Sequence, residues 1–358
     1  MENIQKVLLA YGLDPQRAQY RPYGSGHIND TYLVTEEKKR YILQRINTRV
    51  FKDVEGLMRN IALVTGFLRE KVLARGGDVL REMLTLLPGA GGEIYITDED
   101  GLCWRMYGFI ADAVSLDQAQ TKEEFYASGE AFGSFQRQLK DFDAALLTET
   151  IPDFHNTIKR YEAFCAAADA AEQPLKRAAA REIDFIFSRF EKIVSIQSQS
   201  DSLPLRVTHN DTKLNNVMLD SATRRPLCVI DLDTVMPGTV IHDFGDSIRF
   251  GASTAAEDET NLDKVTLDLS LFEAYSRGFL KGCAGTLTPE EKVLLPEGAL
   301  IMTLECGIRF LTDYLQNDVY FKIHRPGHNW DRCRTQLKLA AEMENNMDAM
   351  RGILAQIE

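Results

Sequence analysis

Between Val207 and Asp233 the chain reads V-T-H-N-D-T-K-L-N-N-V-M-L-D, a short polar turn, then P-L-C-V-I-D-L-D. Apolar runs alternate there with polar loops, the pattern of strand, loop, strand, turn and strand. His209, Asp211, Lys213 and Asn216 fall in the first loop, and Asp231 follows the β-rich run 227–230. A carboxylate, an amide five residues on and a second carboxylate at the next strand end are the parts that phosphoryl transfer needs. Asp211 is the candidate base for the proton of an attacking hydroxyl. Asn216 and Asp231, both hard oxygen donors, are candidates to hold Mg²⁺ against the phosphates of ATP. The frame His-x-Asp-x-x-x-x-Asn matches the spacing of a kinase catalytic loop. Lys213, two positions past the base, is a candidate to neutralise charge on the transferring group. His209 reads as a brace for the loop.

A second run, H-D-F-G-D at 242–246, contains the literal D-F-G of a kinase metal site. It follows the loop M-P-G-T-V instead of closing a strand, so the metal is assigned to Asp231, and Asp243 and Asp246 are read as acids that fix the loop. Asp233 is either a support to the metal site or an outward-facing strand residue.

Such a loop needs a body to hold it. At 358 residues the chain exceeds one ordinary core, so two lobes are expected. Residues 3–11 suit a short amphipathic helix, and two strand-like runs flank Gly24, Ser25 and Gly26. That glycine loop could lay backbone N–H groups over phosphates, or serve only as a hairpin turn. The strand 41–46, a helix from about 52 to 71, and strands across 79–110 complete a β-rich N-lobe at 1–110. Arg45 stands where such a lobe wants a cation for nucleotide phosphates, with Glu55 its nearest candidate acid. The connector 107–110, with Gly108 and Ile110, is where adenine would stack. Beyond it, at 111–358, the periodicity is helical. T-K-E-E at 121–124 and T-P-E-E at 288–291 fit capped helix starts. Helices are expected near 155–172, 175–198, 267–282, 289–315 and 330–357, with Pro296 kinking or splitting the fourth. The fold class is therefore α+β, a bilobal protein-kinase-like arrangement with a small β-rich N-lobe and a larger, mostly helical C-lobe.

Composition narrows the partners. A net charge of −12 argues against nucleic acid. No apolar run reaches membrane-spanning length, and the start M-E-N-I-Q-K lacks the order of a signal peptide, so a cytoplasmic enzyme without membrane contact is expected. The six cysteines show neither a C-x-x-C pair nor zinc spacing. No G-x-x-x-x-G-K-[ST] loop occurs, which excludes a P-loop enzyme. A monomer fits, though nothing fixes the oligomeric state.

H-N-D-T-K-L-N-N-V-M-L-D with V-I-D-L-D-T-V-M-P-G resembles the aminoglycoside phosphotransferase and choline kinase superfamily. More narrowly, Y-G-S-G-H-I-N-D-T-Y-L-V, R-Y-I-L-Q-R-I-N, H-D-F-G-D-S-I-R-F-G-A-S-T and E-C-G-I-R-F-L-T-D-Y-L are similar to the N-acetylhexosamine 1-kinase family, in order along nearly the whole chain. That resemblance implies ATP- and Mg²⁺-dependent phosphorylation of N-acetylglucosamine or N-acetylgalactosamine at the anomeric hydroxyl. It implies Asp211 as base, Asn216 and Asp231 as metal ligands, and a sugar site lined by His27, Phe250, Arg309 and Tyr320. The chain departs from the broader superfamily at Asn210, where glycine is usual, and at Arg45, where lysine is common. Aminoglycoside or choline kinases are the rivals; they need clustered acids or an aromatic cage, whereas this chain offers Arg309, Lys322, His324 and Arg325 around Tyr320. A protein kinase would show A-P-E after the metal strand. A catalytically inactive sugar- or nucleotide-binding protein would have lost the base or a metal ligand, and all are present.

Overall fold

The structure, a computed structural model, describes residues 2–24 and 28–357. The chain divides into two compact units, each assembled from separate stretches of sequence. The first takes residues 1–115, 138–152 and 217–237; the second takes 116–137, 153–216 and 238–358. Most strands lie in the first unit and most helices in the second, the β-rich and helical parts that the periodicity predicts.

The first unit is built on an antiparallel sheet in the order Gln19–Pro22, Asp30–Glu36, Lys39–Arg45, Cys103–Gly108, Leu86–Leu87, with Ile96–Thr97 also pairing Cys103–Gly108. Alternation sets its inner face: Val34, Leu43, Trp104 and Met106 pack with Val7 and Leu8 of the first helix. The runs 79–87 and 93–97, expected as strands, are mostly turns and bends; only the two-residue strands Leu86–Leu87 and Ile96–Thr97 form there. Helix Val54–Ala74 begins at Asp53, whose carboxylate accepts the Gly56 N–H at 2.9 Å. Its buried Asn60 donates to the carbonyls of Thr148 and Val235, 2.7 and 3.0 Å away. This ties the helix to the segment just after Asp231. A second sheet orders Pro226–Val229, Val217–Asp220 and Ala113–Val114.

In the second unit, the expected helix 175–198 is three shorter helices, Gln173–Ala178, Ala180–Phe187 and Phe190–Asp201. The helix expected over 289–315 breaks at Leu294 into Pro289–Val293 and Leu295–Leu315, which places Pro296 in a first turn, where a missing N–H costs nothing. Thr288 and Glu291 form the full capping box. At the first predicted box Thr121 caps Glu124, but the Glu124 carboxylate reaches the Gln120 N–H instead of that of Thr121.

Helix Val240–Gly251 carries the H-D-F-G-D run and crosses helix Leu295–Leu315 at two glycines. A Cβ on Gly245 would lie 2.2 Å from the Gly298 carbonyl oxygen, and one on Gly298 would lie 2.3 Å from the Ile241 oxygen. Backbone against backbone leaves no flexible atom to give way. Gly245→Ala is therefore expected to destabilise the fold by about 1–3 kcal/mol through overpacking, read as a lower midpoint of chemical unfolding. An unchanged midpoint would show that the two helices can separate freely.

Candidate active site

The loop after strand Arg206–Thr208 is held mainly by its backbone. The Asp243 carboxylate accepts the N–H groups of His209 and Asn210 at 2.9 and 2.8 Å, and the Gln136 amide at 2.9 Å. Asp246 accepts the Thr212 N–H at 3.0 Å, and Ser247 donates to the Thr212 carbonyl at 2.7 Å. Asp243 and Asp246 thus brace the loop, as their sequence position suggests. Burial pushes the Asp243 carboxyl up against the pull of His209 and those N–H donors. Burial also opposes charge on Asp246, but Arg249 and Lys213 outweigh it and hold that carboxyl low. Arg249 continues to Glu257, and Glu257 to Arg332, a chain of buried and half-buried ion pairs.

Asn210 has a φ of 63°. Asparagine tolerates this left-handed region almost as glycine does, which explains how it can replace the usual glycine. The turn swings the next residue outward. Asp211 Oδ1 lies 2.8 Å from Lys213 Nζ, and its Oδ2 accepts Asn216 Nδ2 at 3.1 Å. Asn216 Nδ2 also reaches the Asp211 carbonyl at 2.8 Å. With its nitrogen committed to Asp211, the Asn216 amide is left with Oδ1 as its oxygen donor. Burial works against charge on Lys213, but Asp211 and Asp246 outweigh it and raise its pKa. His209 accepts the Asp211 N–H on Nδ1 at 3.3 Å and packs edge-on to Phe132 and Phe135. It supports the loop, as expected.

Asp231 belongs to the first unit, two residues past strand Pro226–Val229, exposed and with a φ of 59°. Two residues on, Asp233 is buried, which rules out the outward-facing alternative. It accepts Asn29 Nδ2 at 2.7 Å and pairs with Arg105 at 2.5 Å. Arg105 is 1% exposed and also donates to Gln44 at 3.0 Å. Sequence reasoning passed over Arg105, although a charge inside the apolar strand C-W-R-M-Y-G signals a buried partner. Arg45 pairs with Asp30, the residue directly opposite on the neighbouring strand, and lies over the Trp104 ring. The acid is thus Asp30 and not Glu55, because cross-strand register decides the nearest carboxylate. Gly108 spends its N–H on the Thr85 carbonyl at 2.9 Å, and Ile110 is buried. Gly24 takes a φ of 80°, while Ser25, Gly26 and His27 lie outside the described residues.

The remaining candidates are in the second unit. Phe250 is half-buried near the end of helix Val240–Gly251. Arg309 lies 5.7 Å from the centre of the Phe154 ring and 5.5 Å from that of Phe321. Tyr320 is 71% exposed, edge-on to Phe321, with its backbone N–H held by Asp313 at 2.7 Å. One turn before Arg309, the buried Glu305 accepts His155 Nδ1 at 2.9 Å and Thr157 Oγ1 at 2.8 Å. Burial opposes its charge, yet His155 and Arg309 hold the Glu305 carboxyl down at about 2.

Burial, aided by His155, depresses the neighbouring His242 to about 3 from its usual 6.5. Between those values the unfolded chain binds a proton that the folded chain refuses, so stability falls as pH drops through this window. The slope is expected to reach about 1.4 kcal/mol per pH unit, and His242→Gln should flatten it in urea unfolding at pH 7 and 5. An equal slope in the variant would remove His242 as its source. Glu305 adds to acid loss only below its ordinary 4.5, down to about 2.

A family model described as the phosphotransferase enzyme family matches residues 19–277. The chain belongs to that family. As a phosphotransferase it is similar to a microcompartment-associated aminopropanol kinase, at 16% identity over 97% of each chain with a TM-score of 0.62. It also resembles the Plasmodium vivax ethanolamine kinase, at 14% identity over 93% of this chain and 87% of that one, TM-score 0.59. A spectinomycin phosphotransferase solved with ADP and spectinomycin matches at 14% identity, over 97% and 99% of the two chains, TM-score 0.56. At these identities the likeness shows the fold, which is kinase-like with a β-sheet N-terminal region and a larger helical C-terminal part. Among the described residues, no helix is long and apolar enough to cross a membrane, and no three His, Cys, Asp or Glu side chains cluster as a metal site. An amide oxygen and a single carboxylate suit Mg²⁺ nonetheless, because that ion usually takes one or two protein ligands beside phosphates and water.

Proposed function

We propose that this phosphotransferase is an ATP- and Mg²⁺-dependent kinase that phosphorylates N-acetylhexosamines at the anomeric hydroxyl, yielding the sugar 1-phosphate. The observation that carries the acceptor class is the charge around Arg309. Arg309 and Arg160 both lie near Glu305, and like-charge repulsion from Arg309 adds to burial in lowering the Arg160 pKa. Two guanidiniums against one carboxylate repel a cationic amine. They offer N–H donors to the ring and acetamido oxygens of a neutral sugar, with Phe154 and Phe321 as apolar faces.

In this reading Asp211 takes the proton of the anomeric hydroxyl as its oxygen bonds to the γ-phosphorus of ATP. The bond from that phosphorus to the β-γ bridging oxygen breaks, and ADP departs. The bonds from Lys213 and Asn216 orient Asp211, since a carboxylate can accept further hydrogen bonds while holding both. Lys213, drawn also toward Asp246, balances charge on the transferred group. Asn216 and Asp231 remain the proposed Mg²⁺ ligands, and the ion would supply charge neutralisation to the departing diphosphate. Gly24, Ser25, Gly26, Arg45, Gly108 and Ile110 remain the proposed nucleotide contacts, and His27, Phe250, Arg309 and Tyr320 the proposed sugar contacts.

An ADP-release assay across N-acetylglucosamine, N-acetylgalactosamine, choline, ethanolamine and an aminoglycoside tests this. Release with the two N-acetyl sugars and not with the cationic acceptors is expected. Release confined to a cationic acceptor would move the protein to another branch of its family, and sugar binding without release would make it a binding protein.

A further inference from the structure

We propose that His155 touches the acceptor: its Nε2 accepts a hydrogen bond from a hydroxyl of the sugar, beside Arg309. This rests on the function proposed above and adds a residue that nothing in the sequence marked. The His155 side chain is 7% exposed, and its Nδ1 is fixed 2.9 Å from Glu305 Oε1. Glu305 Oε2 is occupied by Thr157. A carboxylate can only accept, so in the neutral tautomer the proton sits on Nδ1 and Nε2 keeps an unshared pair. That nitrogen is buried and has no hydrogen-bond partner. Buried polar atoms in native folds are nearly always paired, and an unpaired one is a place for a ligand atom.

The surroundings say which ligand. Glu305 and Arg309 stand four residues apart on helix Leu295–Leu315, so they share a face. The Phe154 ring lies 4.5 Å from the His155 ring and also carries the Arg309 guanidinium. His155, Phe154, Arg309 and Phe321 are thus one continuous wall. Arg160, anchored to the Phe154 carbonyl at 3.0 Å, adds a second unpartnered polar atom, its buried Nε–H. A wall with one acceptor among several donors matches a polyol, whose hydroxyls donate as well as accept. An amino alcohol has no second hydroxyl to give and would meet two guanidiniums. The same wall reaches toward the catalytic loop: the His242 ring lies 5.2 Å from that of His155, and the next residue, Asp243, holds the loop N–H groups.

His155→Asn separates the two ring nitrogens, because its amide can still donate to Glu305 but ends short of the Nε2 position. Steady-state kinetics on the full chain should show the sugar KM raised roughly 5- to 100-fold, with kcat and the ATP KM within about twofold and the melting temperature kept. With 3-, 4- and 6-deoxy N-acetylglucosamine, one analogue should erase the difference between wild type and variant, identifying the hydroxyl. An unchanged sugar KM would overturn the proposal. So would a variant that loses stability while differing equally from wild type on every analogue, which marks a structural role; His155→Gln, which restores a polar atom near Nε2 but not the Glu305 bond, should then behave no better. Failure of the function reading looks different, since the wild type would then release no ADP with any N-acetylhexosamine, and both claims would fall.

Discussion

Asp211→Asn is expected to cut turnover by roughly 10²–10⁴-fold, the usual loss for a removed general base, while ATP binding and the melting temperature stay near wild type. The substitution is nearly isosteric. The new amide oxygen can still accept Asn216 Nδ2, and the loop is fixed by Asp243 and Asp246, not by Asp211. What is lost is the acceptor for the substrate proton in the proposed reaction and the ionic partner of Lys213, 2.8 Å away. Lys213 keeps Asp246 in reach, so the lysine should remain in place. Single-turnover measurement with radiolabelled ATP separates chemistry from binding. Near-normal turnover would remove Asp211 from the base role, and a parallel fall in ATP affinity would assign it to nucleotide binding.

Asp231→Ala should weaken Mg²⁺-dependent nucleotide binding by roughly 30- to 3,000-fold, the consequence of losing about 2–5 kcal/mol from one partner in a tight charge contact. Its local fold should survive. Leu232 and Asp233, the next two residues, are buried at 1% and 4% exposure, and Asp233 is pinned by Arg105 and Asn29. The segment therefore keeps its place without the Asp231 side chain. Calorimetric titration of the nucleotide with and without Mg²⁺ reads the effect directly. A metal titration identical to wild type would show that this carboxylate is not a ligand.

The contacts within the proposed catalytic loop were legible in the sequence because they are local. Base, lysine and amide lie within six positions, and the structure joins all three side chains. The literal D-F-G lies within helix Val240–Gly251 and not at a strand end, and its glycine sits where two helix backbones touch. What pairs over long separations was hidden. Gln136 meets Asp243 across 107 positions, and Arg105 reaches Asp233 across more than a hundred. Periodicity cannot reveal such partners, although Arg105 and Glu305 each advertise a buried charge by interrupting an apolar run. Local propensity also misled over 79–87 and 93–97, where β-branched and apolar residues suggested strands. Short turns there, fixed by Asp78, Glu82 and Asp98, bond the backbone locally instead.

The most direct test is where the new phosphate sits. Incubating the wild type with ATP, Mg²⁺ and N-acetylglucosamine and recording proton and phosphorus NMR of the product should show phosphorus coupling to the anomeric proton. Coupling to the C6 protons, with the anomeric signal unsplit, would contradict an anomeric kinase.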